Sequence, residues 1–203
     1  CSTTPPVNDL ARRLLAEFLG TAFLLVGVLF AVILMFGEFS GAHLNPAVTL
    51  ADVLLQKRLW FDLGPYIAAQ LAGGAVGVTA ANFMFDYEPS NLSDKVRDGG
   101  GRYSGELIAT FGLMVLIFPL VRTGWSHLVA SAVAAYIGGA YWFTSSTSFA
   151  NPAVSVTRTL SDTFAGIHPG SAPMFIVMQF AGALLAVAAI RALYLDDTET
   201  GVS

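Results

Sequence analysis

The sequence is poor in charge and almost without cysteine. Only 12% of its 203 residues are Asp, Glu, Lys or Arg, about half the share of an ordinary soluble domain. Cys1 is the one cysteine, which excludes a disulfide framework and a thiolate metal site. The three histidines, His43, His127 and His168, are scattered. No nucleotide-binding loop, metal-ligand cluster or nucleophile–base pair stands out, so neither an enzyme nor a cofactor is expected. A formal net charge of −4 gives no reason to invoke nucleic acid. The missing initial Met reads as a trimmed or partly recorded start.

What the chain does contain is apolar: 55% of its residues are hydrophobic, with 15 Phe and 20 Gly, as in packed transmembrane helices. Apolar runs near the ~20 residues that a bilayer requires cover Leu14 to Phe39, Pro65 to Phe85, Tyr103 to Val121, Leu128 to Phe143 and Ala172 to Leu195. Polar stretches separate them, among them Gln56-Lys57-Arg58, Asp86 to Arg102 and Asp162 to Ser171. Gly73, Gly74 and Gly77 in the second run mark close helix packing.

Asn-Pro-Ala occurs twice, at Asn45-Pro46-Ala47 and Asn151-Pro152-Ala153. Asn is a good helix N-cap and Pro fits the first helical turn, so each copy predicts a helix starting inside the apolar region. Such a start exposes backbone N–H groups and the positive end of the helix dipole. A bilayer tolerates it only where it is buried in protein or lines a wet cavity. Two short, re-entrant half-helices therefore suggest a pore.

The copies belong to an internal repeat. Glu17-Phe18-Leu19-Gly20-Thr21 is similar to Glu106-Leu107-Ile108-Ala109-Thr110, and Gln70-Leu71-Ala72-Gly73 is similar to Gln179-Phe180-Ala181-Gly182. The order Glu, Asn, Gln is the same in both halves, and an odd number of spans per half would invert one half against the other. One spacing departs: Glu106 to Asn151 is 45 residues, whereas Glu17 to Asn45 is 28. Either the chain has five spans and broken symmetry, or its first half lacks about 17 residues near Val26 and Gly27. The second reading is preferred, because losing a span would flip one half-helix and prevent a head-to-head meeting. The expected organisation is a shortened first repeat (12–85), a connecting loop (86–102), a second repeat (103–195) and an acidic tail (196–203).

Ala16-Glu17 with Gly20-Thr21, then Ser40-Gly41-Ala42-His43-Leu44-Asn45-Pro46-Ala47-Val48-Thr49, and the second Asn-Pro-Ala resemble the aquaporin and aquaglyceroporin (major intrinsic protein) family, over almost the whole chain from Arg12 to Leu195. The resemblance implies an all-α membrane protein with an inverted repeat: six transmembrane helices, two re-entrant half-helices, a pore in every subunit and a homotetramer. It places Asn45 and Asn151 in the channel, where each amide donates to a passing neutral solute and the two positive helix ends disfavour cations. The alternative for each Asn is simply to cap its own helix.

One departure from the family pattern bears on selectivity. The family usually carries an arginine directly after the second Asn-Pro-Ala, and here that position is Val154. Arg158 lies one turn further on, suited to anchoring the half-helix or facing the outer vestibule. Counting back from Asn151 carries two other filter positions to Gly139 and Ser148. Gly139, Ser148 and Val154 predict a wide constriction of low polarity, and the fourth position falls near the missing stretch. Such a filter, with Ala140-Tyr141-Trp142-Phe143-Thr144 and Asp162-Thr163-Phe164-Ala165-Gly166-Ile167, resembles a bacterial subgroup associated with arsenic resistance. The function implied is passive passage of small neutral solutes: glycerol-like polyols, arsenous acid or organic arsenicals, and water. A water-selective pore is the alternative, or a non-conducting membrane scaffold should the short first half be real.

Other residues have plainer expected roles. His43 is read as bracing its loop or lining a vestibule. Glu17 and Glu106, costly in a membrane without partners, are read as hydrogen-bonding the broken loops. Gln70 and Gln179 are expected between helices, and Tyr141, Trp142 and Phe143 in an interfacial belt. Arg12, Arg13, Lys57, Arg58, Arg122 and Arg191 on the inner side, against Lys95, Arg97, Arg102 and Arg158 outside, give a weak positive-inside bias. The chain thus reads as a multi-pass protein of the bacterial inner membrane.

Overall fold

The computed structural model describes residues 7–26, 29–56 and 59–194; Cys1 and the acidic tail lie outside them. Eight α-helices form: α1 (Val7–Val26), α2 (Leu29–Ser40), α3 (Pro46–Gln56), α4 (Trp60–Met84), α5 (Gly100–Arg122), α6 (Val129–Phe143), α7 (Pro152–Thr157) and α8 (Ala172–Tyr194). Three of them, α4, α5 and α8, are long and apolar enough to cross a bilayer.

The apolar run from Leu14 to Phe39 is not one span. It divides into α1 and α2, so six helices besides the two half-helices are present among the described residues; α2, with 12 residues, is about 18 Å long. The expected gap falls at the α1–α2 junction, where Gly27 and Val28 lie outside the described residues. On either side of it the shortfall is shared. α1 extends from Glu17 only to Val26, whereas α5 extends from Glu106 to Arg122. That difference is about two turns, or about 10 Å of helix.

Packing follows the repeat. α1 lies on α4 and α5 on α8, while each half-helix crosses to the other half, α3 against α8 and α7 against α4. The two long pairs cross where they carry glycine. A Cβ on Gly73 would collide with the carbonyl oxygen of Phe18, and one on Gly182 with that of Leu107. These pairs occupy the same offsets in the two halves, so backbone approaches backbone twice in the same way. Gly74 lets α7 approach α4, since its Cβ would sit 2.9 Å from Thr157 Cγ2. The core cluster joins Ala47, Val48 and Ala51 of α3 to Leu113 and Met114 of α5 and Ala183 and Val187 of α8.

Candidate functional site

Each half-helix is preceded by a loop of unusual backbone. Gly41, Ala42 and Leu44 have φ of 87°, 45° and 52°, and Thr147, Ser148 and Ala150 have 65°, 47° and 47°. These are the same three offsets before Asn45 and Asn151. Left-handed conformations at non-glycine residues cost about 1–3 kcal/mol each and persist only where the surroundings enforce them.

Here the surroundings are two buried carboxylates. Glu17 Oε1 accepts from the Ser40 hydroxyl (2.7 Å) and the His43 amide (2.9 Å), and its Oε2 accepts from the Leu44 amide (2.8 Å) and Gln70 Nε2 (2.6 Å). Glu106 Oε1 accepts from the Phe149 amide (2.9 Å), and its Oε2 from the Ala150 amide (2.8 Å) and Gln179 Nε2 (2.6 Å). Both are fully buried. The glutamines extend the network to the half-helices: Gln70 donates to Thr49 Oγ1 at 3.1 Å, and Gln179 to Ser155 Oγ at 2.8 Å. A buried carboxylate is retained when each oxygen has donors, and these oxygens have them.

The asparagines do more than cap. Asn45 Oδ1 accepts from the Ala47 amide at 2.9 Å, and Asn151 Oδ1 from the Ala153 amide at 3.0 Å and the Val154 amide at 3.3 Å. Their amide nitrogens reach across the molecule. Asn45 Nδ2 donates to the Ala150 carbonyl at 2.7 Å, and Asn151 Nδ2 to the Leu44 carbonyl at 2.8 Å. The half-helices thus meet head to head through a reciprocal pair of bonds. An amide NH₂ has two donors, and among the described residues one N–H on each asparagine has no partner.

Both asparagines line a cavity of about 300 Å³. His43, Leu44, Val48 and Asp52 surround it on one side of the asparagine pair, and Tyr141, Ser148, Phe149, Val154 and Arg158 on the other, with Val129, Val133 and Ile137 of α6 along its wall. Pro46, Ala47, Pro152 and Ala153 are buried behind the lining. The His43 ring lies 3.3 Å from Thr49 Oγ1 through Nδ1 and 3.6 Å from Asp52 Oδ2 through Nε2, and it packs against Tyr66. Its position therefore combines loop bracing with a face on the cavity. The Ser148 hydroxyl is buried and has no hydrogen-bond partner among the described residues.

One expectation about α6 needs correction. Gly139 is not among the lining residues and is exposed, with open space beyond its Cα. The lining stripe is Val129, Val133, Ile137 and Tyr141, one residue per turn, and Gly139 lies on the opposite side of the helix. Tyr141 lines the cavity and is itself 37% exposed, against 85% for Trp142 and 59% for Phe143. The stripe was visible in the sequence as an i, i+4 series; counting from Asn151 alone does not identify a helix face.

The connecting segment packs over the Arg158 side. Arg97 is its pin. Nε donates to the Gly166 carbonyl (2.8 Å), Nη1 to the Ser146 carbonyl (3.1 Å) and Thr147 Oγ1 (3.2 Å), and Nη2 to the Phe164 carbonyl (2.9 Å). Burial lowers its pKa from the ordinary value, with Arg102 adding to the effect, and an arginine remains charged at neutral pH even so. From the sequence Arg97 reads only as an outside charge.

The family model described as major intrinsic protein matches residues 16–145. The chain is 38% identical to the aquaglyceroporin AqpS of Rhizobium meliloti (strain 1021), over 90% of each protein. That alignment spans 211 positions, more than this chain has residues, so part of the relative has no counterpart here. Human aquaporin-9 is 31% identical over 51% of this chain and 45% of its own length. Among solved structures, the aquaglyceroporin from Plasmodium falciparum superposes with a TM-score of 0.72, covering 92% of this chain and 97% of that one, at 18% identity; at that identity the likeness concerns the fold.

Proposed function

The chain belongs to the major intrinsic protein family of membrane channels, and from that premise we propose a passive pore whose constriction admits neutral solutes larger than water. The observation that carries this reading is Val154. It lines the cavity directly after the second Asn-Pro-Ala, with an apolar side chain in place of a charged fork of donors. Ser148 stands beside it, and Ile137 and Tyr141 contribute from α6. The free N–H groups of Asn45 and Asn151 hand on an oxygen-bearing solute between them. The solutes that fit this chemistry are glycerol-like polyols, arsenous acid or organic arsenicals, and water. The proposed setting is a homotetramer in a bacterial inner membrane. Outward apolar side chains such as Phe61, Val177 and Leu184 suit contact with lipid or a second subunit.

Stopped-flow light scattering on proteoliposomes, with water, glycerol and arsenous acid gradients against empty vesicles, tests the reading. Rapid entry of glycerol or arsenous acid is expected, and Val154→Arg is expected to lower it at least tenfold while sparing water. Water flux alone would replace this reading with a water-selective one. No flux of any kind would favour a non-conducting scaffold.

A further inference from the structure

A wide, apolar constriction raises the question of what keeps ions out. The position seven residues after each pore asparagine lines the cavity in both halves, but it is Asp52 in the first repeat and Arg158 in the second. One side of the asparagine pair therefore carries a carboxylate beside His43, and the other carries a guanidinium.

The two arginines on that second side are held differently. Both lie over the Phe149 ring, Arg97 at 5.0 Å and Arg158 at 4.8 Å from its centroid. Arg97 spends its donors on four protein oxygens, as described above. The Arg158 guanidinium has no hydrogen-bond or ion-pair partner among the described residues, and it forms part of the cavity wall. An arginine normally finds acceptors when it leaves bulk water. One that is seated on an aromatic face beside a second cation, with its N–H groups unspent, projects its charge into the space it lines.

We infer that Arg158 is a specificity-determining residue of the pore: it supplies the positive barrier to cations that Val154 does not, one helical turn away from the constriction. Separating the charge from the narrowest point changes what the filter can do. An arginine at Val154 would exclude cations and narrow the passage together. At Arg158 the repulsion acts on the approach, in a low-dielectric wall where a single charge is felt strongly, and the constriction keeps its width. The asparagine ends of α3 and α7 add their dipoles deeper in. This inference rests on the proposed function, because a barrier to ions matters only if the pore conducts.

The experiment uses the full chain in proteoliposomes with two readouts on the same vesicles: glycerol entry by light scattering, and potassium leak by a voltage-sensitive dye. The parent is expected to pass glycerol and hold the potassium gradient. Arg158→Met and Arg158→Gln are expected to raise the ratio of potassium to glycerol permeability at least tenfold, and Arg158→Lys to leave it near the parent value. An unchanged ratio in both neutral variants overturns the inference, whether or not their glycerol flux survives. So does an equal rise in Arg158→Lys, which would make packing rather than charge the cause. A parent that passes no glycerol would instead remove the proposed function, a result read from the unmutated protein alone.

Discussion

The two repeats agree at the centre of the molecule and disagree towards its ends. At the centre, carboxylate, asparagine and glutamine recur in the same order with the same kinds of partner, and the loop amides, left-handed residues and half-helix hydroxyls recur at matching offsets from the asparagines. Away from the centre the halves diverge. The described part of α1 extends about two turns less beyond its glutamate than α5 does, the described part of α3 has 11 residues where α7 has six, and Asp52 stands where the other half has Arg158. The centre is constrained because strained backbone and buried charge tolerate few solutions. The ends carry no such strained loop or fully buried carboxylate among the described residues, so their side chains are freer to differ.

That contrast can be broken most severely at the carboxylates. Glu17→Ala strands the amides of His43 and Leu44, the Ser40 hydroxyl and Gln70; Glu106→Ala strands the Phe149 and Ala150 amides and Gln179. Each buried donor left unpaired costs about 1–3 kcal/mol, so both variants are expected to lose about 10 °C or more of melting temperature in detergent, Glu17→Ala the more. A Glu17→Ala protein that melts like the parent would mean the shortened half does not rely on its carboxylate.

A smaller effect sharpens the comparison at the helix crossings. Gly73→Ala and Gly182→Ala each push a methyl into a backbone carbonyl, with an expected cost of about 1–3 kcal/mol, read as a drop in the same melting curve. Equal losses would show that the two crossings are equally rigid. Tolerance at Gly73 alone would show that the short α1 can shift against α4.

The smallest expected effect separates two serines at one offset. Ser40 Oγ donates to Glu17 and accepts from the Ala42 amide at 3.0 Å, while Ser146 Oγ accepts from the Ser148 amide at 3.1 Å and reaches Thr144 only at 3.4 Å. Ser40→Ala is expected to cost about 1–2 kcal/mol and Ser146→Ala about 1 kcal/mol or less. The reverse order, measured by chemical denaturation or thermal melting, would mean that the second loop is the less well supported one.

Much of the centre was legible in the sequence because polar residues in an apolar chain have few tenable roles. Glu17, Asn45 and Gln70, repeated as Glu106, Asn151 and Gln179, could be placed together on that ground. The α1–α2 division was legible only through the repeat spacing, which located it near Val26 and Gly27; hydropathy alone does not mark it, since no polar or proline-rich stretch breaks the run from Leu14 to Phe39. Gly139 was misplaced because an offset along the chain carries no information about helical phase. Arg158 was noticed, but its inclusion in the cavity wall depends on Phe149 lying beneath it, a contact between an αL loop and a half-helix that no local pattern encodes.

The reciprocal bonds from Asn45 to Ala150 and from Asn151 to Leu44 carry a consequence for symmetry. Each half supplies the acceptor that the other half's asparagine needs, so a single repeat on its own leaves both groups unmet. Two identical copies of one repeat, inserted into the membrane in opposite senses, would satisfy them all. The geometry at the centre is that of an antiparallel dimer within one chain.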